Sequence, residues 1–373
     1  MHTRRGSRFP ERARSRPHPA TVTQPPRRTT ISDIAKRAGV SKGAVSYALN
    51  GRPGVSEETR ARIVRIAEEL GWYPNRAARA LSAARAHACG LVLARPAQTL
   101  ALEPFYMEFI AGVESELSSR SVALTLQLVR DVQEEIEVYR RWWGERRVDG
   151  VLMVDLRHDD PRVTEITRLG LPAVVVGGPV ANGAIPGVFH DEATPVADVV
   201  RYLAALGHER IGRVAGVPTF VHTSKRTDAF LAAAAERGVT PTVVETDYSP
   251  ESSARATRRL LSEPEATRPT AMVYDSDVLA VTGLGVAHEM GFAVPDEISI
   301  VSWDDSLISQ VVHPPLTAVT RDIEAYGSLV SRTLLAVLDG QTTGDVEAHR
   351  GTLTPRGSTG PVRSAAPRAA VPA

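Results

Sequence analysis

The sequence predicts an all-α helix-turn-helix head followed by an α/β body of two doubly wound parallel-sheet lobes. Length is the first observation behind this, since 373 residues exceed what one hydrophobic core usually sustains. The second is a change of texture. Residues 30–71 are helical and Arg-rich, whereas from Gly90 onward short β-rich runs alternate with amphipathic helical runs. Charge is the third: the first 88 residues hold 18 Lys and Arg against 6 Asp and Glu, and the other 285 hold 26 against 37. The formal charge of +1 is thus a cancellation between a basic head and an acidic body, which points to a polyanion partner for the head.

Composition narrows the class further. The single cysteine, Cys89, excludes an intramolecular disulfide and a Cys-rich zinc site, and it reads as a small buried strand residue. No run approaches the roughly 18 apolar residues of a membrane span, and the N-terminus lacks an apolar signal core, so a cytoplasmic location is expected. Residues 1–28 carry eight Arg and five Pro and read as a disordered basic tail. That tail either adds non-specific attraction to phosphates or is an extension without a role. Residues 357–373, rich in Gly, Ser, Pro and Ala, also read as disordered.

The head occupies residues 29–73. Thr30-Ile31-Ser32-Asp33 has the form of a capping box and starts a helix to Ala38. Gly39 sits where the chain turns and positive φ is tolerated. Ser41 caps a second helix, Lys42 to Leu49, whose Val45 faces back toward Ile34 and Ala35. The series Ala35, Gly39, Val45 supplies the small residue, the turn and the apolar anchor of a helix-turn-helix. A third helix, Glu57 to Leu70, is capped by Ser56, ends at Gly71 and turns Ile63, Ile66, Ala67 and Leu70 inward. A plain three-helix interaction module is the alternative, and the excess of 10 basic over 5 acidic residues in 29–88 argues against it. The second helix would present Lys42, Gly43 and Tyr47 to base edges, Lys42 donating to guanine O6 and N7. Tyr47 either meets a thymine methyl or packs on the helix flank. Ser41, Ser46 and Asn50 suit phosphate oxygens, with Thr30 and Arg60 as further candidate DNA contacts.

Residues 74–88 form a hinge and linker. Pro74-Asn75 opens a short basic helix candidate, Arg76 to Ala86, too short to be stable alone and suited to folding on DNA, with Asn75 and Arg79 as candidate contacts. The body follows over 89–356, with strands separated by crossover-length helices. Its first lobe is expected over about 89–189 and 323–345, and its second over about 190–322 and 346–356. Ligands of such sheets bind beyond the carboxyl ends of the strands, here a cleft between the lobes.

That cleft lacks catalytic equipment. There is no G-x-S-x-G elbow, H-E-x-x-H pair or P-loop, and Gly283-Leu284-Gly285 lies within a helical pattern. His208 follows Gly207 at a helix-to-strand turn and suits pairing with backbone rather than base chemistry. The expectation is a protein that is not an enzyme, without cofactor or metal, binding a ligand without reacting. Arg226 offers a planar fork for a carboxylate or vicinal hydroxyls, and Asp304 follows an apolar strand as an acceptor for the same ligand. Asp277, beside Ser276, is either a second acceptor or a helix N-cap. Phe105 and Tyr106 can stack on a sugar or base ring. Asp155, His222, Tyr248 and Trp303 lie in comparable places, read more readily as core or rim.

The stretch TISDIAKRAGVSKGAVSYALNGRPGVSEETRARIVRIAEELGWYPNRAARAL, Thr30 to Leu81, resembles the DNA-binding head and hinge of the LacI family of bacterial transcriptional regulators. The similarity continues in the body through EPFYMEFIAGVE, LGHERI, KRTDAF, GFAVPDEISIVSWDD and HPPLTAV, in the family's order and spacing. It implies lobes of the periplasmic-binding-protein type, with Arg226 and Asp304 as effector contacts and Phe105-Tyr106 as the family's aromatic pair. It also implies that hinge helices of two subunits lie in the minor groove with Leu81 as the wedge at the central step, unless Leu81 merely packs between head and body. Two departures stand out. Ala44 replaces the Thr frequent before Val-Ser, and Gly177 ends a strand where many relatives carry Asp, which removes one anchor for a simple hexose.

The resemblance implies a homodimeric repressor, with a tetramer as the alternative. Its affinity for a pseudo-palindromic operator would be set by a small effector, a sugar or sugar derivative, closing the cleft. Induction and corepression are both compatible with that linkage. A transporter's solute-binding protein would carry an export signal and no helix-turn-helix, and an enzyme would need a nucleophile or metal set.

Overall fold

The computed structural model describes residues 29–72, 85–96, 100, 103–180 and 183–362. The chain divides into two compact units, one ending at Arg79 and the other beginning at Ala80.

In the first unit, α1 (Ile31–Ala38), α2 (Lys42–Leu49) and α3 (Glu57–Glu69) enclose a core centred on Ile34, Val45 and Ile63, all fully buried. Local chemistry sets each boundary. The Asp33 carboxylate accepts from the Thr30 N–H at 2.8 Å and its hydroxyl at 2.7 Å, and Gly39 closes α1 at φ +67°. Ser41 Oγ accepts from the Ala44 N–H at 3.1 Å, and Ser56 Oγ from the Thr59 N–H at 3.4 Å, each satisfying an amide that a helix start leaves open.

The second unit holds two sheets. In the first lobe the order is β11-β5-β4-β3-β1-β2, formed by β1 (Ala88–Leu93), β2 (Ala123–Leu128), β3 (Gly150–Met153), β4 (Ala173–Val176), β5 (Gly187–Phe189) and β11 (Val346–Glu347). In the second it is β12-β10-β9-β8-β6-β7, formed by β6 (Arg210–Ala215), β7 (Thr240–Glu245), β8 (Ala271–Tyr274), β9 (Ser299–Trp303), β10 (Thr317–Thr320) and β12 (Thr352–Thr354). All pairings are parallel except β10 with β12. The inner strands β1, β3, β4, β8 and β9 are buried throughout, as strands covered on both faces must be. The covering helices are α4 (Pro104–Ser119), α5 (Val132–Gly144), α6 (Pro161–Leu169), α7 (Ala193–Ala205), α8 (Val221–Arg237), α9 (Pro250–Leu261), α10 (Asp277–Glu289), the short α11 (Leu307–Val311) and α12 (Ile323–Leu338).

The chain passes between lobes after β5, after β10 and after β11. Val346 and Glu347 pair with Val188 and Phe189 in the first sheet, so the last crossing lies beyond 347 rather than at the expected 345/346 boundary. After the second crossing, α12 returns to the first lobe and packs on α4 with almost no separation. A Cβ on Gly112 would overlap the Glu324 carbonyl, and one on Gly327 the Phe109 carbonyl. Because backbone, not a movable side chain, receives the clash, Gly112→Ala is expected to destabilise the body by at least the ~1–3 kcal/mol typical of overpacking. Thermal denaturation of the full chain reads this; an unchanged midpoint would mean that the two helices can part freely.

Two further expectations need correction. The tail anticipated from Gly357 is ordered through residue 362: Ser358 is fully buried, its Oγ donates to the Ile300 carbonyl at 2.6 Å, and the Thr317 N–H donates to that Oγ at 2.8 Å. Glycine and serine there fit a crowded space between strands rather than a free end. The hinge, expected to reach residue 88, gives way to the body by residue 85, where Arg85 reaches the Leu338 carbonyl at 3.0 Å and the Ala86 N–H reaches Asp149 at 2.6 Å. Gly283 lies within a helix, as its sequence pattern indicates, and leaves room in α10 for the Tyr274 ring. Cys89 is buried in β1, its thiol pushed up to about 12 chiefly by burial.

Candidate functional site

Strand ends and helix starts of both lobes enclose a cavity of about 90 Å³. From the first lobe, Arg95 follows β1, Glu103 and Tyr106 stand at the start of α4, and Asp155 follows β3 in a left-handed conformation at φ +54°. Arg95 grips Asp155 through Nε at 2.8 Å and Nη2 at 3.0 Å, and the Tyr106 hydroxyl donates to the same carboxylate at 3.0 Å. This charge and its hydrogen bonds hold the Asp155 carboxyl well below the usual range against strong burial.

The second lobe mirrors this construction. Asp304 follows β9, also left-handed at φ +78°, with its backbone carbonyl held by Ser302 Oγ at 3.1 Å and its carboxylate paired with Arg321. Arg226, in the second turn of α8, lies 4.4 Å over the Trp303 ring and donates to Glu192 at 2.6 Å. Opposing burial, Arg226 and then Arg321 hold the Glu192 carboxyl down at about 2. Arg95 also bridges the lobes, 5.0 Å from the Phe220 ring and 4.8 Å from that of Tyr248. His222 contacts the Tyr248 hydroxyl at 3.2 Å, and burial lowers it to about 4, leaving it neutral.

The structure therefore gathers Phe105, Tyr106, Asp155, His222, Arg226, Tyr248, Ser276, Asp277 and Asp304 around one cavity. Trp303 lies beneath Arg226 rather than on the wall. Ser276 is the N-cap of α10, accepting from the Leu279 N–H at 3.3 Å, so Asp277 is not the cap and its carboxylate receives the Ser306 hydroxyl. Sequence reasoning missed Arg95, Glu103, His190, Glu192, Asp275, Arg321 and Tyr326. Most follow a strand end by one or two residues, a position that could have flagged them. Gly177, the departure at the end of β4, borders the cavity; its N–H lies 3.0 Å from the Tyr326 hydroxyl, which donates to Val188 at 2.7 Å. His208 is no cleft residue: its ring nitrogens meet Thr270 Oγ1 at 2.9 Å, Ser299 Oγ at 3.0 Å and the Gly360 carbonyl at 3.2 Å.

In the head, Ser41, Lys42, Gly43, Tyr47 and Asn50 are exposed along α2 and its ends, and Thr30 at the start of α1. Tyr47 keeps 46% of its surface open while its ring edge rests on Gly54. Asn50 donates to the Ser46 carbonyl at 2.9 Å and to the Ser46 Oγ at 3.3 Å, the latter tying these two side chains together. Arg60, also expected among the DNA contacts, has its guanidinium engaged within the head. Its guanidinium donates to the carbonyls of Ala48 and Arg52, each at 2.9 Å, and so closes the C-terminal end of α2. Asn75, Arg79 and Leu81 lie outside the described residues. Among the described residues no helix is long and apolar enough to cross a membrane, and no cluster of His, Cys, Asp and Glu could hold a metal ion.

The family model of bacterial regulatory proteins of the lacI family matches residues 30–75, and that of the periplasmic binding protein-like domain matches residues 200–359. The chain is 33% identical to the HTH-type transcriptional regulator CelR of Thermobifida fusca over 323 residues, 85% of this chain and 94% of that one. A solved CelR–cellobiose complex is 30% identical, with a TM-score of 0.68 over 89% of this chain and all of the other. The lac repressor dimer bound to operator and an anti-inducer, 24% identical, shares the fold at a TM-score of 0.79 over 90% of this chain and all of that one.

Proposed function

The chain belongs to the LacI family of bacterial regulatory proteins, and from that premise we propose that it is a transcriptional repressor whose operator affinity is set by a small molecule in the cleft. The observation that carries this is the union, in one chain, of a helix-turn-helix with an exposed basic and polar second helix and a body whose two lobes converge buried polar groups on a single cavity. In this reading Lys42, Gly43 and Tyr47 face base edges, Thr30, Ser41, Ser46 and Asn50 meet phosphates, and Asn75, Arg79 and Leu81 belong to a hinge that enters the minor groove. The effector is a sugar or sugar derivative, as cellobiose is for the CelR complex, held without chemistry between Asp155 with Tyr106 on one side and Arg226 with Asp304 on the other.

The protein acts in the cytoplasm as a homodimer. Leu307 and Val311, 72% and 67% exposed on α11, and Met107, 66% exposed on α4, are apolar side chains that a partner subunit would cover. A ligand changes operator affinity only through its different affinity for the two lobe arrangements. Gel-shift titration of the full chain against its own upstream DNA tests the reading. Sequence-selective binding that weakens steeply with salt is expected, and binding indifferent to sequence or salt would remove it.

A further inference from the structure

We propose that the cleft takes a polyhydroxylated effector bearing a basic nitrogen and rejects anions, the positive group lying between Glu103 of the first lobe and Asp277 of the second, with a ligand donor on His190 Nε2. The inference rests on the effector reading above and assigns the charge of that effector. It follows from counting pairs. Six carboxylates line the cavity: Glu103, Asp155, Glu192, Asp275, Asp277 and Asp304. Among the described residues each guanidinium near them already has a carboxylate partner that balances its charge. Arg95 holds Asp155, Arg226 holds Glu192 at 2.6 Å, Arg213 holds Asp275 at 2.6 Å, and Arg321 holds Asp304. Glu103 receives only a residual share of Arg95 at 3.4 Å. Asp277, 3% exposed, meets the Ser306 hydroxyl and the Val278 N–H, with no cation in ion-pair range among the described residues. Two carboxylates of surplus thus face the ligand, one from each lobe, and an anion would find no positive charge that a carboxylate does not already balance.

An independent atom points the same way. His190 is 7% exposed and lines the cavity, its ring tilted 46° to that of Tyr326 with the centroids 4.2 Å apart. Its Nδ1 lies 2.9 Å from the His349 carbonyl, which requires the proton on that nitrogen. Nε2 is then a lone-pair acceptor, buried and without a partner among the described residues. Buried polar atoms of this kind are normally satisfied, so this one is left for a ligand N–H or O–H.

Electrostatics show how the surplus is carried in the unliganded cleft. Burial raises Glu103 to about 7, opposed by Arg95 and reinforced by Asp155, Asp277 and Asp304. Burial, Asp304 and Glu108 raise Asp277 to about 6 against the hydrogen bonds of Ser306 and Val278. Both groups therefore hold protons close to neutral pH, and an ammonium can take the place of those protons.

Three disaccharides differing at one carbon test this on the full chain by calorimetry at neutral pH: cellobiose, its 6′-amino-6′-deoxy derivative and its 6′-uronate. The amine is expected to bind at least about tenfold more tightly than cellobiose, and the uronate at least about tenfold more weakly. In the E103Q/D277N variant the preference for the amine should fall to within about threefold, for want of the paired charges. A uronate binding as well as the amine, or a preference that survives in the variant, overturns the proposal. The unliganded chain supplies a readout free of any sugar. Carboxyls raised in the native state lend stability that is lost as pH rises through their native values. The wild type should therefore lose thermal stability relative to E103Q/D277N between about pH 5 and 7.5. Superimposable profiles overturn the charge assignment. An operator affinity that ignores every sugar would instead sink the effector reading and leave this pH comparison standing.

Discussion

Arg162→Met is expected to lower the thermal midpoint of the body by roughly 6–20 °C, the largest effect of any single substitution proposed. The Arg162 side chain, 2% exposed, donates to both oxygens of Glu135 at 2.9 and 3.0 Å, to Asp160 at 2.7 Å, and to the carbonyls of Val154 and Asp155 at 3.0 and 2.8 Å. Glu135 is fully buried, and its carboxyl is raised by that burial even with the guanidinium present. Methionine fills much of the volume but leaves two carboxylates without a cation. Removing one partner of a buried pair costs about 3–5 kcal/mol, and a protein of this size loses roughly 2–4 °C per kcal/mol. The double variant E135Q/R162M should recover part of the loss by removing one of the stranded charges. A midpoint within a degree or two of the wild type would show that the network contributes little. Because the same guanidinium holds the carbonyl of left-handed Asp155, the substitution should also loosen the carboxylate offered to the ligand.

Arg226→Ala is expected to abolish the rise in thermal midpoint that a bound effector produces, corresponding to about 2–4 kcal/mol of binding free energy or roughly a 30- to 1,000-fold weaker complex. Three losses coincide. The ligand loses a fork of donors, Glu192 keeps only Arg321 at 3.7 Å, and the Trp303 face loses the cation stacked on it. Arg226→Lys separates these contributions, since an ammonium restores charge without the planar fork and should recover only part of the affinity. An undiminished effector shift in Arg226→Ala would remove this residue from the site.

The parts of the fold that sequence made legible are those where one local cause dominates. Gly39 and Ser41 mark the turn of the head because a left-handed residue and an N-cap have few substitutes, and Ala173–Val176 reads as a buried strand because nothing else fits four consecutive apolar residues there. The strands β5 and β7 were less visible. Gly187–Phe189 has only three residues, and β7 alternates weakly at the edge of its sheet. The ordered segment around Ser358 was misread because small polar residues have the same composition whether they are solvated or inserted between strands. In the site, single residues with distinctive chemistry such as Arg226 and Asp304 were accessible, whereas Arg95, Glu192 and Arg321 were not. Their importance lies in pairing across long sequence separations, 60 residues for Arg95 with Asp155 and 34 for Arg226 with Glu192, which periodicity does not encode. Arg60 adds a local case: a basic residue expected among the DNA contacts also has donors that serve the end of α2, and residue type alone does not distinguish the two roles.

The late stitching of Ser358 between Ile300 and Thr317, together with the return of α12 to the first lobe, bears on the order in which the chain becomes functional as it is made. Segments emerge from the ribosome in sequence and fold when their partners are present. The three helices of the head need only neighbours within residues 29–72 and can close while most of the chain is unmade. Neither lobe has that freedom. The first waits for α12 and β11, and the second for the residues around Ser358, so both are completed within the last stretch of synthesis. A truncated or stalled product would accordingly present a finished reader of DNA attached to an unfinished sensor, free of whatever control the ligand exerts.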